Sequence, residues 1–435
     1  MKKIFISLFV MAVAILAQAQ TARDDFKRNI GLAGDNYTAY EVPQTKLSAA
    51  PKGYEPCYIS HYGRHGSRYL IGKGVYDNPV KVLSEAEKDG KLTERGTSLL
   101  RDLKAIQADV QGHLEELTLL GAQQHQGIAQ RMFDRLPGLF TGNAHVDAKS
   151  SIVVRCILSM TNELMELKAK NPNLDIRCDA SAGDMQYIIQ DDRELNAQKM
   201  PRGSEAYKAW HEYRERHFNP ERLLNSLFND SQYWNEKIRD KYEFCIDQLW
   251  KITSSIQGTE MRHTLSLYNL FTEEELYQIW LIRNANWYIT YGPSPLNGGT
   301  QIYAQRNLIK KIIEEADAAL AGSSNLTANL RFGHEVVVMP VVCFLNLNGY
   351  GTQYTDLEDV EKNKWYSYRI FPMGSNIQLV FYSKKKGSGD ILVQILLNEE
   401  EATIPDFKPA QGCYYKWQDL RQYCLDKLAR YTPAK

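Results

Sequence analysis

The stretch His61-Tyr62-Gly63-Arg64-His65-Gly66-Ser67-Arg68-Tyr69 follows directly on a short apolar run from Cys57 to Ser60. A strand that feeds a loop containing two glycines makes a tight turn at the strand's end. In an open α/β sheet that edge is where ligands bind. Arg64 and Arg68 flank His65, so one strand end projects two planar guanidinium forks suited to phosphate. Like charges lower a histidine's pKa, which keeps His65 neutral, and a neutral imidazole is a nucleophile. His61-x-x-x-His65 does not read as a zinc pair. Gly63 and Gly66 oppose the helix that would put both imidazoles on one face, and no third ligand is near in sequence. His61 is expected to pack or to support its neighbours.

Outward from this loop the pattern changes character twice. Ser151-Ile152-Val153-Val154 is a β-branched run feeding a helical segment from Ile157 to Leu167, a second strand-loop-helix unit. Between about Arg193 and Leu320 the helical period dominates. Tyr207, Trp210 and Tyr213 recur at three-residue spacing, Tyr242, Cys245, Leu249 and Ile252 continue it, and Thr272-Glu273-Glu274-Glu275 is a capping box. Trp280 and Trp287 sit at helical spacing and read as core, not as a ligand cage. Strand character returns at Ala328 to Phe332, then in a hairpin of Asn376 to Tyr382 and Ile391 to Leu397 around Lys384-Lys385-Lys386-Gly387-Ser388-Gly389. The tri-lysine reads as a solvated turn. Strands on both sides of a helical block imply an α/β sheet domain, flanked by helices, with an all-helical domain inserted. The expected divisions are 20–190, 191–324 and 325–435.

With 435 residues, 43% of them hydrophobic, the chain can bury a full core, and its 52 basic side chains match 52 acidic ones. A chain without net charge supplies no global field for nucleic acid or an anionic membrane, so anion binding must come from a local cluster. Residues 1–19 read as a cleaved signal peptide: Lys2 and Lys3 precede an apolar run from Ile4 to Leu16, followed by Ala17-Gln18-Ala19. That run spans roughly 20 Å as a helix, short of the roughly 30 Å hydrocarbon layer, so no stable membrane anchor is expected. Export, to the periplasm or outside the cell, is the expectation. Seven cysteines without a Cys-x-x-Cys pair make neither a disulfide scaffold nor a zinc ribbon. Cys413 and Cys424 are the nearest late pair, whereas Cys156 and Cys343, in apolar runs, read as buried thiols.

Four ordered segments resemble the histidine acid phosphatases of the histidine phosphatase superfamily. Arg64, His65, Gly66 and Arg68 match the signature Arg-His-Gly-x-Arg-x-Pro, with Leu70 where the proline is usual. Leu117-Thr118-Leu119-Leu120-Gly121-Ala122-Gln123-Gln124 is similar to the family's helix-opening Leu-Thr-x-x-Gly-x-x-Gln. Ser151 to Arg155, followed by Ser159, resembles the segment presenting a third phosphate-binding arginine, a role the resemblance gives to Arg155. Phe332-Gly333-His334-Glu335 resembles the late His-Asp pair, in which the histidine contacts phosphate and the acid protonates the leaving group; here the acid is Glu335. The inositol-polyphosphate phosphatase branch often has His-x-Glu, with a proline six residues after the histidine, as Pro340 is here, but two residues after His334 stands Val336.

The resemblance implies a phosphoglycerate-mutase-like sheet and a phosphomonoesterase that needs no cofactor or metal and takes a small phosphomonoester, with no nucleic-acid partner. His65 would attack phosphorus, a protonated Glu335 would donate to the leaving oxygen, and Arg64, Arg68, Arg155 and His334 would hold the phosphoryl oxygens. The branch features point to inositol polyphosphates such as phytate, for which Lys73 is a further candidate contact. A general acid phosphatase, a mutase-type transferase and a non-catalytic phospholigand-binding relative are the alternatives. Oligomeric state is not encoded in any feature of the sequence.

Overall fold

The computed structural model describes residues 21–322, 325–384 and 390–432. The candidate leader therefore lies outside the described residues, as does most of the tri-lysine turn. An eight-stranded sheet has the order β3-β2-β4-β1-β5-β6-β7, with β8 added to β6. The strands are β1 Glu55–Arg64, β2 His145–Ser150, β3 Asp175–Asp179, β4 Leu326–Gly333, β5 Asn376–Ser383, β6 Ile391–Leu397, β7 Glu400–Glu401 and β8 Tyr414–Lys416. The longer α-helices are α1 Lys73–Lys88, α2 Glu94–Asp109, α3 Leu119–Arg135, α4 Val154–Lys170, α5 Glu205–His217, α6 Glu273–Tyr291, α7 Arg306–Leu320, α8 Glu335–Leu345 and α9 Trp417–Ala429. Among the described residues no strand lies between β3 and β4, which helices alone connect.

β1 sits at the centre, parallel to β4 and antiparallel to β5. Along β1 and β5 successive side chains enter opposite cores, as the two-residue period of a strand requires. Tyr58, Tyr62, Ile377, Leu379 and Phe381 join the larger core, where Trp250, Trp280 and Trp365 are buried. Ile59, Val380 and Tyr382 join the smaller one with Met132 of α3 and Met160 and Leu164 of α4. The sheet is thus covered on both faces, and β5 and β6 are buried at every position, including the polar Asn376, Gln378, Ser383 and Gln394. Trp280 is core, as its spacing indicates, and the Thr272 capping box opens α6.

The β-branched run at 151–154 differs from its expected form. The strand is His145–Ser150, whose alternate residues are buried, while 151–153 form the loop before α4. Ile152 and Val154 are exposed. β-branched residues mark strands only where they pack on a pleated surface, and here the chain has already passed the sheet's edge. Cys156, Cys245 and Cys343 are buried thiols, and Cys413 and Cys424 are not bonded to one another. Among the described residues no helix is long and apolar enough to cross a membrane.

Candidate active site

Because β1, β2 and β4 run parallel, their carboxyl ends share one edge of the sheet. Arg64 pairs in register with Gly333, so residues 64–68 and His334-Glu335 emerge side by side although about 270 positions separate them. The backbone locks this junction. The His65 N–H donates to Gly333 O at 2.9 Å, Gly374 N–H to His65 O at 2.9 Å, and Arg64 N–H to Ser375 O at 2.7 Å.

Helices α3 and α4 hold the loop from its other side. Gly66 N–H donates to Ser159 Oγ at 3.1 Å on α4, and Ser67 N–H to Gln124 Oε1 at 2.8 Å on α3. Gly66 and Gly121 meet backbone to backbone. A Cβ on Gly66 would lie 2.4 Å from Gly121 O, and one on Gly121 would lie 2.2 Å from Ser67 O. The glycine of the Leu-Thr-x-x-Gly-x-x-Gln segment is therefore a contact point for the loop, and its glutamine is the loop's clamp.

His65 is 1% exposed. Its Nδ1 lies 2.9 Å from Gly66 O, and a carbonyl only accepts, so Nδ1 carries the proton and Nε2 keeps its lone pair. Burial, then Arg64, Arg68, His334 and Arg155, hold its pKa well below the ordinary histidine value. The neutrality expected from neighbouring arginines is present, with desolvation as the larger cause.

Arg64 is fully buried and anchored from behind, donating through Nη1 to Asn36 O at 2.8 Å and Phe371 O at 2.7 Å. Its Nη2 has no hydrogen-bond partner among the described residues, nor does Nε of Arg68 or of Arg155. Arg68 is fixed by a 2.9 Å bond to Tyr69 O and lies over the Tyr37 ring; Arg155, in the first turn of α4, pairs with Glu115 at 3.3 Å. Three buried guanidiniums with unspent donors make an anion site.

Glu335 opens α8 and turns into the site. Its Oε2 is 3.0 Å from Arg64 Nε and 3.8 Å from His65 Nε2. Burial alone would raise this carboxyl, but Arg64, Arg68 and His334 outweigh it and lower it to about 2. It is therefore ionised among these charges, although its expected role starts from the protonated form. The His334 ring centroid is 5.6 Å from that of His65, and burial with the arginines lowers His334 to about 4, against the opposing pull of Glu335.

His65, His334 and Glu335 converge closely enough to serve as metal ligands. The three arginine charges around them oppose a divalent cation and favour an anion in the same space. His61 stays apart: it is buried against the Phe332 ring with neither nitrogen hydrogen-bonded, and burial lowers it to about 3. Lys73 is not brought into the group. It is exposed at the start of α1 and pairs with Asp77 of its own helix.

A family model described as the histidine phosphatase superfamily, branch 2, matches residues 63–398. The chain belongs to this superfamily. No curated protein matches it in sequence. In fold this histidine phosphatase is similar to the multiple inositol polyphosphate phosphatase of Bifidobacterium longum crystallised with inositol hexasulfate, with a TM-score of 0.70, 18% identity and coverage of 89% of this chain and 96% of that one. It is similar also to the phytase from D. castellii, with a TM-score of 0.71, 14% identity and coverage of 93% and 86%. The Hafnia alvei phytase follows at a TM-score of 0.51 and 12% identity, covering 87% and 98%.

Several groups that shape the histidine phosphatase site carry no signal in its sequence. The carbonyls of Asn36 and Phe371 that seat Arg64 are backbone atoms. Glu115, opposite Arg155, itself has a φ of 67°, which neighbouring sequence does not announce. Tyr62 could have been suspected from its place in the quoted stretch, directly before Gly63. Its hydroxyl donates to Ile188 O at 2.8 Å and accepts from the His334 N–H at 3.4 Å, and it approaches Gly333 so closely that a Cβ there would lie 2.0 Å away.

Proposed function

We propose that the protein is an exported phosphomonoesterase that works through a phosphohistidine and acts on inositol polyphosphates such as phytate. The observation that carries this reading is the bare Nε2 of His65, fixed by Gly66 O among three buried guanidiniums with unspent N–H groups.

In the reaction His65 Nε2 attacks phosphorus in line, and an N–P bond forms as the ester O–P bond breaks. Arg64, Arg68, Arg155 and His334 take the charge of the equatorial oxygens, the work that magnesium does in many phosphoryl transfers. Binding a phosphate sets its negative charge against the cations that hold Glu335 ionised. Burial then dominates the carboxyl and raises its pKa, so it takes up a proton and passes it to the departing oxygen. Water resolves the intermediate, with Glu335 accepting the proton that the attacking water loses. The inositol polyphosphate assignment is supported by the glutamate in the late pair and by the inositol-phosphate phosphatases among the similar folds. Export rests on residues 1–19.

The deciding experiment measures phosphate release from phytate and from nitrophenyl phosphate, with labelled substrate and rapid quenching to trap phosphate on protein. Label on a histidine and a higher kcat/KM for phytate are expected. A ten-fold preference for the aryl ester, about 1.4 kcal/mol of transition-state binding, would make it a general acid phosphatase. Tight phosphate binding without release from either ester would make it a binding protein.

A further inference from the structure

We propose that Ser151 fixes the tautomer of His334, so that His334 carries its proton on Nδ1 and donates it to the anion held at His65; this rests on the phosphatase reading above. Ser151 follows the last residue of β2, is fully buried, and has its own N–H tied to Phe332 O at 2.9 Å. That tie places its Oγ 3.2 Å from His334 Nε2. The Cys156 thiol lies on the same side, 3.6 Å from Nε2, with its proton directed to Gly333 O at 3.3 Å. Among the described residues His334 Nδ1 has no hydrogen-bond partner.

The assignment follows from the donors and acceptors available. A hydroxyl always has a proton to place, and an imidazole lone pair is a stronger acceptor than a thiol sulfur whose own hydrogen is already spent on a carbonyl. Ser151 Oγ–H therefore donates to Nε2, which must be bare, and the ring proton sits on Nδ1. Burial and the nearby arginines keep His334 neutral, so the choice of nitrogen matters. With Nδ1–H the ring donates to a phosphoryl oxygen; with a bare Nδ1 it would set a lone pair against that oxygen. Ser151 is thus a positioning residue acting through His334. The strand-end segment that presents Arg155 has a second task in orienting the histidine of the late pair.

The test uses the full chain with nitrogen-15-labelled histidine. His334 is assigned by the signal lost in His334→Gln, and inorganic phosphate is titrated into wild type, Ser151→Ala, Ser151→Thr and Cys156→Ala. Expected are a protonated Nδ1 and bare Nε2 in the wild type. Ser151→Ala should show proton density moved to Nε2 and phosphate affinity about ten-fold weaker, in line with one buried hydrogen bond. Ser151→Thr should restore both, and Cys156→Ala should keep the wild-type tautomer. A proton on Nε2 in the wild type would overturn the proposal even if Ser151→Ala failed to fold, as would an unchanged spectrum in that variant. A wild type that shows Nδ1–H and binds phosphate but hydrolyses no ester would overturn the phosphatase reading and leave this one standing.

Discussion

Replacing Glu335 by glutamine separates two duties: its ion pair with Arg64 and the proton donation proposed for it. The side chain is 12% exposed, sits 3.0 Å from Arg64 Nε, and is lowered from an ordinary 4.5 to about 2 by Arg64, Arg68 and His334 against its burial. A shift of that size corresponds to on the order of 3 kcal/mol of favourable interaction between the ionised form and its surroundings. Because the folded-state value is the lower one, this stability is complete above about pH 4.5 and is lost as pH falls toward 2. Glu335→Gln should therefore be less stable than wild type by on the order of 3 kcal/mol near neutral pH, and the gap in urea unfolding should close between about pH 4.5 and pH 2.

The same carboxylate opposes a bound anion. Two unit charges about 4 Å apart repel by about 4 kcal/mol near a protein surface unless one is neutralised. The variant should therefore bind inorganic phosphate at least about ten-fold more tightly while losing activity, an unusual pairing for an active-site substitution. Its kcat/KM, which reports the first irreversible transfer, should fall by about 10² to 10⁴ on phytate, whose alkoxide leaving group needs a proton, and far less on nitrophenyl phosphate. Using kcat/KM matters because a shared hydrolysis step would slow both substrates in kcat. Equal losses in kcat/KM with unchanged phosphate affinity would refute the acid role and leave Glu335 as the counter-ion of Arg64.

Three further outcomes follow from the geometry. His65→Ala should abolish turnover and label trapping yet still bind phosphate, since three arginines remain; residual activity above a trace on nitrophenyl phosphate would show that another atom is the nucleophile. EDTA should leave activity unchanged, whereas a loss reversed by zinc or magnesium would make His65, His334 and Glu335 metal ligands. Gly121→Ala drives a Cβ to 2.2 Å from Ser67 O, so it should cost about 2 kcal/mol or more in unfolding and weaken phosphate binding by displacing the loop; wild-type stability and affinity would show that the loop yields freely.

The two segments of the candidate site were legible because each is compact in sequence and lies at a strand's end: Arg64-His65-Gly66-Ser67-Arg68 at the end of β1, and His334-Glu335 after β4. Their meeting was less legible, since it depends on β1 and β4 being parallel neighbours with Arg64 opposite Gly333, and pairing register is written in no single segment. β2 escaped notice for a related reason. His145-Val146-Asp147-Ala148-Lys149-Ser150 buries only small residues on one face, and the stronger β-branched signal lies just beyond it, in a loop that the sheet no longer covers. Lys73 shows the opposite error, in which nearness in sequence to Arg68 suggested nearness in space. A helix begins at the lysine itself and pairs it with Asp77.

The protonation state of Glu335 was beyond the sequence in principle. Residue types name the charges, but distance and burial decide their balance. A carboxyl 3.0 Å from a buried guanidinium is held ionised, and on the proposed mechanism the same burial would make it an acid once phosphate met the arginines. Had the acid been held protonated throughout, Arg64 would have lacked the carboxylate that lies 3.0 Å from its Nε. On the proposed mechanism a single carboxylate would both stabilise the free protein through Arg64 and become the proton donor when the anion to be cleaved binds.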